Sequence, residues 1–178
     1  MPSTAKRRLA ACLQRWPPLL WMLRIAGRVL APRQYVGAVG AVFNDSGQLL
    51  LVEHVFRTDF PWGLPGGWVE DGEDPSETVK REVAEELKLE IEVKALLLTR
   101  RIPVLRKSAH PPHLGLAYYC RLVTGEPTST MDVLSVDWCD ATKIARDLAP
   151  RQRLAAELGL QAFQRERRAE DEGRVRTS

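Results

Sequence analysis

Three carboxylates crowd one short run of the chain, Glu82, Glu85 and Glu86, with Arg81 directly ahead of them. On a helix, Glu82 and Glu86 stand at i and i+4 and share a face, and Glu85, at i+3 from Glu82, joins its edge. Val79, Val83 and Leu87 form an adjoining apolar stripe, so the carboxylates flank the side that packs inward. Like charges so placed raise one another's pKa and cost stability unless something positive sits among them. Two readings meet this pattern: a solvated acidic face, common in Glu-rich helices, and a divalent-cation site. Oxygen-only donors favour Mg²⁺ or Mn²⁺ over zinc. Three neighbours favour the cation. Arg81 is spaced at i±4 to pair with Glu77 or Glu85. Gly66 and Gly67 allow backbone to approach a metal or phosphate closely. Glu73 adds a fourth carboxylate at the loop-to-helix junction.

The element that must position these groups is predicted as a helix over 75–87. Asp74 is a cap, Pro75 suits the first helical position, and Glu77 completes a capping-box pattern. Pro61, Gly63, Pro65, Gly66 and Gly67 make the preceding segment a loop. Before it, YVGAVGAVF and QLLLVEHVF read as strands around an Asn44–Gly47 turn, a hairpin over 35–56. After the helix, LEIEVKALLLTR, LGLAYYCRLV and VLSVDWCD read as strands, with a loop from Arg101 to Pro112. Helices are expected near 140–148 and 150–166, then a charged tail, 165–178, that frays. Strands interleaved with helices indicate α/β or α+β layering.

The 178 residues suggest one domain with extensions. A net charge of +3 is too small to imply nucleic acid by itself. Its distribution is uneven. Lys6, Arg7, Arg8, Arg15, Arg24, Arg28 and Arg33 all precede the first acidic residue, Asp45. Residues 1–33 therefore form a basic, Trp- and Leu-rich arm, expected as two short helices broken at Pro17 and Pro18. The arm has two readings: packing on the domain or on a second subunit in a homodimer, and a peripheral membrane contact through residues 5–33. Nucleic acid comes third. The run after the first basic cluster is broken by Gln14, Arg15 and two prolines, which disfavours a secretory leader. No apolar run reaches the ~18–20 residues of a membrane span. Cys12, Cys120 and Cys139 have no metal-type spacing and read as free thiols, which favours a reducing, cytoplasmic setting.

Gly67, Glu73, Arg81, Glu82, Val83, Glu85, Glu86 and Leu89 match the pattern G-x5-E-x7-R-E-U-x-E-E-x-G-U, where U is aliphatic. The segment thus resembles the Nudix box, and the lead-in PWGLPGGWVEDGE is similar too. Lys88 stands where the pattern has its second glycine. That glycine closes the helix, so the departure bears on the helix end and not on the metal site. The resemblance implies an α/β/α sandwich with a mixed β-sheet over residues 34–164. It implies Glu82, Glu85 and Glu86 as metal ligands, with the Gly66 carbonyl as another. Glu82, or a residue outside the box, is implied as the base. Arg81 would orient a glutamate and Glu73 would support the network. The implied reaction is Mg²⁺-dependent hydrolysis of a diphosphate linkage in a nucleoside diphosphate derivative, such as a nucleoside triphosphate or sugar nucleotide. A non-catalytic nucleotide sensor and a membrane-surface adaptor remain as alternatives.

Outside the box, Asp132 is a further ligand or base, or a plain turn carboxylate. Asp137, between Val136 and Trp138, reads as structural. Arg57 is a phosphate-binding candidate or a surface arginine. Trp62 either anchors the core or stacks a substrate ring. The pair His110 and His113 lacks the companion ligands that zinc needs and reads instead as part of a substrate-facing loop.

Overall fold

The computed structural model describes residues 34–178, apart from 56, 58, 104–110, 129, 131–132, 145–147 and 178, together with Pro18, Trp21, Met22 and Ile25. Contacts divide the chain into Met1–Gln34 and Tyr35–Ser178. The readings placed on most of the N-terminal arm, on His110 and on Asp132 lie outside the described residues.

The second unit runs β1 (Tyr35–Phe43), β2 (Gln48–His54), β3 (Trp62–Gly63), β4 (Gly66–Trp68), α1 (Pro75–Leu87), β5 (Glu90–Ile102), β6 (His113–Thr124), β7 (Val133–Asp140) and α2 (Pro150–Thr177). The sheet order is β3-β2-β1-β6-β5, with β4 on β1 and β7 on β2. Strands β1 and β6 run parallel and β5 and β6 antiparallel, so the sheet is mixed. Because side chains alternate along a strand, each face of the sheet meets a different helix. Ala38 and Val42 point with Leu50, Val52 and Cys120 towards Val79, Val83 and Leu87 of α1. Ala41, Phe43, Leu49, Leu51 and Tyr119 point the other way, onto Ala155, Ala156 and Phe163 of α2. The result is an α/β/α sandwich. Each fully buried apolar side chain of the α1 stripe contributes about 1.5–3 kcal/mol.

Helix α1 has its expected bounds. The Asp74 carboxylate accepts from the Ser76 amide at 2.8 Å, which satisfies a free N–H of the first turn. The capping box does not form, because Glu77 binds Lys80 at 2.7 Å instead. The helix ends on Lys88 in the left-handed conformation, φ 59°, whose amide donates to the Ala84 carbonyl. The expected hairpin is only partial. Asn44 closes the turn, accepting from the Gln48 amide at 2.9 Å, but β1 pairs β2 at Phe43 and Leu49 alone. From Gly37 to Val39 it pairs β4 instead, and β2 turns to β7. That split brings the glycine loop into the sheet beside β1. No helix starts at 140, since β7 runs to Asp140, whose carboxylate closes a turn onto Thr142. The C-terminal tail is helical: α2 continues to Thr177.

Tyr119 and Arg121 tie α2 to the sheet. The Tyr119 hydroxyl donates to Glu166, and Arg121 binds Glu166 at 3.2 Å and Asp45 at 2.6 Å. The Arg121 guanidinium also stacks 5.1 Å from the Phe163 ring centre. Cys120 is buried and free, and its burial pushes the thiol up to about 12; Cys139 is half-buried. No helix among the described residues is long and apolar enough to cross a membrane.

Candidate active site

A cavity of about 610 Å³ opens between the glycine loop, the carboxylate face of α1, the sheet and the start of α2. Sites for small ligands commonly span roughly 300–1,000 Å³. Gly37 and Val39 of β1 and Gly115 and Ala117 of β6 line it. These residues are paired in register, Gly37 with Gly115 and Val39 with Ala117, so small side chains keep that stretch of sheet low.

Arg81 organises the acidic wall. Its Nε and one Nη donate to the two oxygens of Glu73 at 2.9 and 3.2 Å, a forked pairing. Its other Nη reaches Glu82 at 3.0 Å and Glu85 at 3.3 Å. Glu73 also accepts from the Thr78 hydroxyl at 2.7 Å and the Glu70 amide at 3.1 Å. Arg81, then Thr78, then the Glu70 amide hold Glu73 down to about 2. Glu82 moves the other way. Burial raises it above the usual carboxylate range, Arg81 opposes the rise, and the charges of Glu85 and Glu73 add to it. Two partners of one arginine are thus shifted in opposite directions, because only Glu82 is substantially desolvated.

Glu82, Glu86, Arg81, Gly66 and Arg57 all line the cavity. Glu85 does not. Its side chain is 63% exposed, since the helical twist turns it outward to where Arg81 holds it. Glu73 also lies off the lining and acts through Arg81. Trp62 packs against the core around Leu148, which favours its core reading. The aromatic residue that does line the cavity is Trp68, edge-on to His113 with ring centres 4.8 Å apart. The one hint in the sequence was its position directly after the glycine pair. His54, Arg100, Arg151 and Gln152 line the cavity as well, and no local motif marked them.

Among the described residues, no group of three His, Cys, Asp or Glu side chains is spaced to hold one metal ion. The chemistry of the donors still fits a hard divalent cation. Such an ion commonly takes one or two carboxylates and completes its shell with water and substrate phosphate. Glu82 and Glu86 supply two carboxylates on one wall, and burial raises Glu82 although Arg81 is bonded to it. A side chain at Gly67 would collide with the Glu82 carboxylate, so the glycine is what lets the acid lie against the loop backbone.

Comparison with known proteins points the same way. A family model described as NUDIX domain matches residues 32–166. The chain is 34% identical over 117 residues to "Nucleoside diphosphate-linked moiety X motif 6" of Xenopus laevis, covering 62% of this chain and 52% of that protein. It is 34% identical over 122 residues to the "CMP-5'-(N-acetyl-N-hydroxy-3-aminopropyl)phosphonate hydrolase" of Streptomyces rubellomurinus, covering 65% and 58%. The chain thus spans about half the length of these curated relatives. Among solved structures, the MutT NUDIX hydrolase from Burkholderia pseudomallei superposes with a TM-score of 0.61 at 25% identity, covering 71% of this chain and 98% of that one. A UDP-X diphosphatase shares the fold, with a TM-score of 0.60 at 19% identity over 93% of this chain and 86% of that one.

Proposed function

The chain belongs to the NUDIX family, and from that premise we propose that it hydrolyses a diphosphate linkage in a nucleoside diphosphate derivative with the help of a divalent cation, Mg²⁺ or Mn²⁺. The observation that carries this reading is the meeting of Glu82 and Glu86 with Gly66, Gly67 and Arg57 around one cavity.

Glu82 and Glu86 would hold the cation, with the Gly66 carbonyl as a further donor. When bound, the cation would neutralise phosphoryl oxygens and acidify a water. Glu82 is the base that takes a proton from the attacking water. Arg81 fixes the orientation of Glu82 and balances its charge, and Glu73 anchors Arg81. Attack at phosphorus breaks the bond to the bridging oxygen, and two phosphate-bearing products leave. Arg57 holds a phosphoryl oxygen on the opposite wall.

The test is a panel of nucleoside triphosphates, sugar nucleotides, ADP-ribose and dinucleoside polyphosphates, with Mg²⁺ or Mn²⁺ and products read by mass spectrometry. Glu86→Gln should lower turnover by roughly 10²- to 10⁴-fold while leaving the circular dichroism unchanged. Equal turnover in that variant would remove Glu86 from the site.

A further inference from the structure

The wall facing the carboxylates carries an arrangement that hydrolysis at Glu82 and Glu86 does not explain. Arg57 and Arg151 are both half-buried on the cavity lining and make no ion pair within the described structure. Burial, then repulsion from Arg151, pull Arg57 down to about 10, and the charge of Glu86 only partly opposes them. Arg151 stands in the first turn of α2, a turn with no acidic residue. The positive end of a helix dipole disfavours cations there and favours an anion. Gln152 follows it. Only 4% exposed, it lines the cavity, and its buried Oε1 has no hydrogen-bond partner. His54, beside Arg57, is likewise left with a buried, unbonded Nε2. A Cβ at Gly63 would strike the Arg57 guanidinium and come within 2.7 Å of Gln152 Oε1, so the glycine makes room for both to converge. Two like charges, a cationic helix start and an unpartnered buried amide are each unfavourable in the empty protein. One anion relieves the two cationic terms directly, and the Gln152 amide, turned so that its Nε2 faces the site, donates to the same anion.

We infer that Arg57, Arg151 and Gln152 form an anion subsite for the phosphoryl group of the substrate's diphosphate that lies away from Glu82 and Glu86. The choice of a diphosphate rests on the hydrolase reading above. The binding itself requires no cation, which separates the two tests. Cation-coordinating carboxylates grip one phosphoryl group and arginines the other, so the diphosphate spans the cavity between unlike walls. The forked guanidinium geometry of Arg151 suits a phosphoryl group better than an ammonium would.

The probe is inorganic pyrophosphate, titrated calorimetrically into the full-length chain in EDTA, with thermal unfolding followed in parallel. The wild type should bind it, more weakly at high salt. Arg151→Met should weaken binding roughly 10- to 100-fold, and Arg151→Lys less. Anion-free Arg151→Met should also unfold at a higher temperature than wild type, because the repulsion with Arg57 is gone. Gln152→Leu, which removes the unpartnered amide, should likewise bind more weakly without losing thermal stability. A purely structural arginine gives the opposite sign, lower stability on removal, and that result overturns the proposal. So does pyrophosphate affinity in EDTA that is absent in wild type or unchanged in Arg151→Met. Pyrophosphate bound through Arg151, with no substrate cleaved in Mg²⁺, would uphold the subsite and defeat the hydrolase reading alone.

Discussion

Replacing Lys88 with glycine should make the domain more stable. Lys88 ends α1 at φ 59° and ψ 30°, and among the described residues it is the one non-glycine with positive φ. A Cβ in that region crowds the next carbonyl at roughly 1–2 kcal/mol, a strain that glycine lacks. Two terms oppose the gain. The Lys88 ammonium donates to the Glu85 carbonyl at 3.2 Å from an exposed position, a bond that contributes about 0.5 kcal/mol. Glycine also enlarges the unfolded ensemble by about 0.4–1 kcal/mol. The midpoints of these terms leave a gain of about 0.3 kcal/mol, a rise of ~1 °C in Tm for a chain of this size, and the favourable extreme about 1 kcal/mol. Lys88→Ala separates the terms, since it loses the ammonium bond and keeps the strain. It should be slightly less stable than wild type. Urea denaturation of the three proteins measures this, with kcat/KM taken on the same samples. Turnover should be unchanged in both variants, because the position closes a helix and touches no reacting group. A glycine variant less stable than the alanine variant would refute the strain account. Loss of turnover in a folded glycine variant would refute the view that this position is structural.

Other perturbations probe the acidic wall and the anchor of α2. Glu73 is depressed from 4.5 to about 2, so its contribution is full above the unfolded value and is lost as pH falls from about 4.5 towards 2. Arg81→Gln removes the main cause, and the acid limb of the stability curve should flatten over that window; superimposable limbs would contradict the pairing. Gly67→Ala should displace the Glu82 carboxylate and cost on the order of 10²-fold in turnover without loss of secondary structure, as a misplacement of about 1 Å does elsewhere. Arg121→Met should destabilise the fold by about 2–3 kcal/mol in urea, from loss of the half-buried Glu166 pairing. The Asp45 contact adds little, since Asp45 is 88% exposed; a change under about 0.5 kcal/mol would show that the Arg121–Glu166 pairing does not hold α2.

Much of the carboxylate wall was legible because it is local. Asp74 and Pro75 announce a helix start, and periodicity then places Glu82 and Glu86 beside the Val79, Val83 and Leu87 stripe whatever surrounds them. The same reasoning could not tell Glu85 from its neighbours, because a twist of one residue separates the cavity from solvent. Capping was misjudged at Glu77, where a lysine at i+3 competed successfully for the carboxylate. At the expected helix near 140–148, the described residues 141–144 are not helical, because the Asp140 carboxylate closes a simple turn onto Thr142.

What the sequence determined by itself was the chemistry of one helix and the loop before it: donor types, spacing and the glycines that admit a carboxylate to the backbone. The opposite wall was decided only by tertiary structure. Arg57, which the sequence offered as a phosphate-binding candidate, follows β2, while Arg151 and Gln152, which it did not, begin α2, segments far apart along the chain. They meet because β1 abandons β2 for the glycine loop, and because Tyr119 and Arg121 fix α2 across the sheet. Local periodicity carries no information about such pairings. The carboxylates could be read from spacing, whereas the cations that face them follow from packing.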